Sequence, residues 1–109
     1  MDAELAVNQV LDDEGLTSDL EEADATVLTR WLVAEVEKLA RQATSEEAGW
    51  KQIKARRQQA RQAARAVALF RDQGWAKASQ YAQQEKLPWP AKELTSSQQV
   101  LEYLLHSMK

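Results

Sequence analysis

The sequence predicts an all-α protein. Only three glycines and two prolines interrupt its 109 residues, and apolar residues recur at helical spacing over long stretches. In addition, Ser18, Thr44 and Thr95 each stand three positions before a Glu or Gln at the head of such a stretch, the pattern of a capping box. The length suits one domain with one modest core.

The elements follow in order. Residues 1–17 form an acidic arm in which Leu5, Val7, Val10 and Leu11 are loosely helical and Gly15 is placed as a left-handed stop. The pattern leaves a short helix and a disordered segment equally open; the domain proper is expected over 18–109. The first strong helix begins after Ser18, capped through Glu21, and runs to about Ala43. On a wheel of 100° per residue Leu20, Val27, Trp31 and Ala34 form one apolar stripe, and Leu28, Leu32, Val36 and Leu39 form a second beside it. That surface is wider than a surface helix needs, so the helix is either central in its own fold or buried against a second copy.

The second long helix is expected over Ser45–Gln73, opened by Thr44 with Glu47 and closed by Gly74, with Phe70 and Trp75 in the contact of a Schellman ending. Its apolar stripe, Trp50, Ile53, Ala60, Ala64 and Val67, is thin and rich in alanine. With almost no loop near Thr44, the two long helices predict an antiparallel hairpin with arms of about 40 Å. Two shorter helices close it: one carrying Trp75, Ala78, Tyr81 and Ala82, and one from Thr95 carrying Val100, Leu101, Leu104, Leu105 and Met108. Between them, Leu87-Pro88-Trp89-Pro90 is forced into extended backbone.

Charge is segregated along the chain. Met1–Asp24 holds nine acidic residues and no basic one, whereas Lys51–Arg71 holds seven basic residues and no acidic one, although the whole chain sums to -3. On the second long helix Lys51, Lys54, Arg61 and Arg65 share a face, Arg57 borders the apolar stripe and Arg56 lies away. With no intervening carboxylate, no i,i+4 ion pair relieves the repulsion along this face. The face is either a solvated side of a long helix or has a partner, and two partners fit it: the carboxylates of the acidic opening, in the same chain or a second copy, for which arginine forks are suited, or the phosphates of nucleic acid. A pI near 5.2 and the lack of any aromatic residue between Trp50 and Phe70 weigh against nucleic acid.

The sequence points away from catalysis. The one histidine, His106, stands in the last turn of the final helix, where a cation suits the helix dipole. No cysteine is present, Asp12-Asp13-Glu14 lacks the spacing of a calcium loop, and no glycine-rich phosphate loop occurs. Glu35, between the two apolar stripes, is expected to pair with an arginine of the basic helix. No catalytic residue, metal site, cofactor or small-molecule substrate is therefore inferred. The longest apolar run, Trp31-Leu32-Val33-Ala34, is far below the roughly 20 residues of a membrane span. With no leader pattern and no cysteine, a cytoplasmic protein is expected.

The resulting expectation is a non-catalytic helical module for protein interaction or assembly, self-associating through the first long helix. Its candidate partner-binding residues are a basic set, Lys51, Lys54, Arg57, Arg61 and Arg65, and an apolar and aromatic set, Leu28, Leu32, Val36, Leu39 and Trp89. The alternative is a nucleic-acid-binding accessory protein whose acidic arm masks the basic face.

Overall fold

A computed structural model describes residues 1–108. Over these residues the chain forms α1 (Ala3–Leu11), a 3-10 turn (Glu14–Leu16), α2 (Glu22–Gln42), α3 (Glu46–Gln73), α4 (Trp75–Gln84) and α5 (Ser97–Ser107), with no strand. The protein is a small helical bundle. Its axis is α3, whose 28 residues at 1.5 Å each span about 42 Å, matching the long dimension of 41 Å. α2 returns along α3 as an antiparallel hairpin, α5 packs against both, α4 folds back on α3, and α1 covers α2.

The acidic opening is an ordered part of this core. Asp2 caps α1 by accepting from the backbone N–H of Glu4 at 3.0 Å and of Leu5 at 3.3 Å. Ala6, Val10 and Leu16 then join the same buried cluster as α2, α3 and α5. Of the two states the sequence left open for residues 1–17, the helix is the one that forms, because its short apolar face has the flank of α2 to bury against. Gly15 is not a left-handed stop: it lies within the 3-10 turn, and Gly74 is the glycine with positive φ.

Several helix ends differ from expectation by local hydrogen bonding. The Ser18 hydroxyl donates to the Gly15 carbonyl at 3.2 Å, so α2 starts at Glu22 without a side-chain cap. Ser45 rather than Thr44 caps α3, accepting from Ala48 N–H at 3.2 Å. At α5 the box belongs to Ser96 and Gln99, one residue beyond the Thr95 and Gln98 pair.

The end of α3 is also different in kind. Phe70 and Trp75 meet edge to face with ring centroids 6.1 Å apart, yet Gly74 has φ 93 and ψ 178, a region open essentially to glycine alone. This one residue ends α3 and starts α4, its carbonyl accepting from Ala78 N–H at 3.2 Å. The Schellman bonds occur instead at the end of α4, where Leu87 N–H donates to the Ala82 carbonyl at 2.9 Å and Lys86 N–H to Gln83 at 3.3 Å. Lys86 is accordingly left-handed, at φ 57. No helix of the described residues is long and apolar enough to cross a membrane.

Candidate functional site

The apolar candidates lie inside the protein. Leu28, Leu32 and Val36 are 0%, 2% and 0% exposed, covered by α1, α3 and α5 of their own chain. Burying side chains of this kind is worth about 1.5–3 kcal/mol each, which is why the broad face of α2 is closed from within. As partner-binding residues these three are therefore corrected to core. Leu39 is half-buried and, with Gln52, Ala55 and Met108, lines a hollow of about 380 Å³. Trp89 is committed to α4: its ring lies 5.1 Å from that of Trp75, and its indole N–H donates to the Ser79 hydroxyl at 2.8 Å.

The basic candidates divide into two groups. Arg57 and Arg61 both reach Asp13, their Nη2 atoms 3.2 and 2.6 Å from its Oδ2. The 3-10 turn brings this carboxylate to α3 because Leu16 anchors the turn in the core. The Arg61 guanidinium, helped by that of Arg57, holds the Asp13 carboxyl below its ordinary value of 3.8 against the opposing effect of desolvation. Arg61 still leaves 51% of its side chain exposed.

Lys51, Lys54 and Arg65 form the second group. All three are exposed, and among the described residues none has a carboxylate oxygen within 4.0 Å. Between Arg61 and Arg65 a groove of about 170 Å³ opens toward Gly15, Leu16 and Asp19. At the far end Arg65 stands near Tyr81, whose phenol burial and then Glu85 push above 10.0 while Arg65 offsets part of that rise.

Asp24, Arg71 and Arg56, three further charged residues of the two segments, serve the fold. Asp24, 2% exposed, accepts from the Ser97 hydroxyl at 2.6 Å and ties the start of α2 to the start of α5. Arg71 donates to the Asp19 carbonyl at 2.6 Å. The expected arginine partner of Glu35 is Arg56, with Nε 3.6 Å from Oε2, a distance beyond a hydrogen bond. The same guanidinium donates to Gln59 Oε1 at 2.7 Å and to the Met108 carbonyl at 2.6 Å. Arg56 therefore joins α2, α3 and the end of α5. The wheel of a single helix could only place it off the basic stripe, since its partners arrive from distant parts of the chain.

What remains is a continuous solvent-facing band, Lys51, Lys54, Gln58, Arg61 and Arg65, on the outer side of α3. It is about 21 Å long and carries four positive charges partly answered by Asp13. Comparison with protein-family models, curated proteins and solved structures finds no match to this chain.

Proposed function

We propose that this protein is a non-catalytic interaction module that docks an acidic protein partner on the outer face of α3. The observation that supports the reading is the exposure of Lys51, Lys54 and Arg65 with no described carboxylate oxygen within 4.0 Å of them, in line with a half-exposed Arg61. Carboxylates suit this face better than a polyphosphate does. The band carries no aromatic platform on which bases could stack. Self-association through α2 has no place in the reading, because that apolar face is consumed by the core. The setting is cytoplasmic, a reducing compartment suited to a cysteine-free chain.

The test is a titration with poly-glutamate and, separately, with duplex and single-stranded oligonucleotides of equal charge. Poly-glutamate should bind at low salt and weaken as the screening length falls toward about 8 Å at physiological ionic strength. Failure of poly-glutamate to bind at low salt, or tighter binding of an oligonucleotide, would contradict the reading.

A further inference from the structure

The spacing of the exposed band carries the proposed function one step further, to the shape of the partner. Lys51, Lys54, Gln58, Arg61 and Arg65 follow one another at intervals of three, four, three and four residues. Steps of three and four are those of one face of an α-helix, so the five side chains form a nearly straight row along α3 that a second helix can match step for step.

We infer, resting on the docking role of this face, that the partner presents an α-helix whose carboxylates repeat at the same three-four spacing, one facing each of Lys51, Lys54, Arg61 and Arg65, with a neutral polar side chain opposite Gln58. Each exposed ion pair is weak alone, so selectivity comes from four pairs closing in one register. Asp13 contributes by holding the Arg61 guanidinium in place at 2.6 Å, which lowers the ordering cost of binding.

A second copy of this chain cannot supply the matching helix. In α2 two of the four carboxylates, Asp24 and Glu35, are buried, and α1 carries Glu4 alone within its span. A DNA strand is a poor match as well. Its phosphates follow a curved groove edge at about 3.4 Å of axial rise per nucleotide, whereas the band rises about 5 Å per side chain along a straight rod.

The experiment uses the full chain and two synthetic Ala- and Gln-based peptides of about 20 residues, a length of roughly 30 Å. Both carry four glutamates in identical composition and are matched for helicity by circular dichroism. One sets the glutamates at i, i+3, i+10 and i+14 with Gln at i+7; the other distributes them around the helix. The patterned peptide should bind about tenfold tighter or more, a difference near 1.4 kcal/mol, and Lys54→Glu should be rescued by a patterned peptide with Lys at the facing position. Equal binding of the two peptides, or no peptide binding while poly-glutamate still binds, would overturn the helical-partner inference and leave the docking role standing. Loss of poly-glutamate binding as well would remove both.

Discussion

Arg61 donates to Asp13 at 2.6 Å, joining the acidic opening of the chain to the middle of its basic helix across 48 positions. One carboxylate thus answers two arginines and leaves both ends of the band open. Because the Asp13 carboxyl is held below its ordinary value of 3.8, its contribution to stability is fully present above that value. It is lost as pH falls through the lower folded value. Asp13→Asn should destabilise the protein by about 1 kcal/mol at neutral pH, a moderate effect because Arg61 is half-exposed. Chemical denaturation across pH checks this: the gap between wild type and variant should shrink below pH 3.8, and a gap that widens there would contradict the pairing.

Arg56 is expected to be the more important arginine for the fold. Arg56→Ala leaves Glu35, 9% exposed, as a buried charge without its cation and removes the donor from the Met108 carbonyl. The loss should be about 2–4 kcal/mol. The double variant Glu35→Met with Arg56→Met should recover most of it, since a buried pair exchanged for apolar side chains is often neutral. Equal losses in the single and double variants, measured by urea denaturation, would contradict a paired role.

Gly74→Ala should destabilise by about 1–3 kcal/mol although no atom lies within 4 Å of the added methyl. The loss comes from the backbone alone, at φ 93 and ψ 178. A thermal melt unchanged by this substitution would show that the junction of α3 and α4 adopts another geometry.

Lys86→Gly should act in the opposite direction and stabilise by about 0.5–1 kcal/mol. The left-handed backbone at φ 57 disfavours an L-residue by more than glycine loses in unfolded-chain entropy. Differential scanning calorimetry would register this as an increase in Tm; a decrease would contradict the Schellman ending of α4.

How far the sequence revealed the molecule depended on the range of each interaction. Helical periodicity exposed α2, α3, α4 and α5, and the hairpin followed from the shortness of the loop near Thr44. Cap positions shifted by one residue where two adjacent hydroxyls competed, as with Thr44 and Ser45 or Thr95 and Ser96, because either hydroxyl can accept from the backbone N–H three residues on. The broad face of α2 was legible as buried, but not what buried it. Leu28 and Val36 are covered by helices whose arrival depends on the tertiary fold, so an internal core read as an interface between copies. In the basic helix the wheel correctly gathered Lys51, Lys54, Arg61 and Arg65. The position of Glu35 foretold an arginine of this helix as its neighbour, but the wheel could not single out Arg56, off the stripe and reaching the end of α5, or foresee that Asp13 would take two arginines.

The most direct test of the central claim is a titration of poly-glutamate into wild type and into Lys51→Glu/Lys54→Glu/Arg65→Glu at low salt, with a melt of each protein alongside. These three side chains are exposed and touch no described carboxylate, so reversal should leave Tm within a few degrees, an effect of about 0.5 kcal/mol, while binding is abolished. Binding of the reversed protein as strong as that of wild type would contradict a docking role for the outer face of α3.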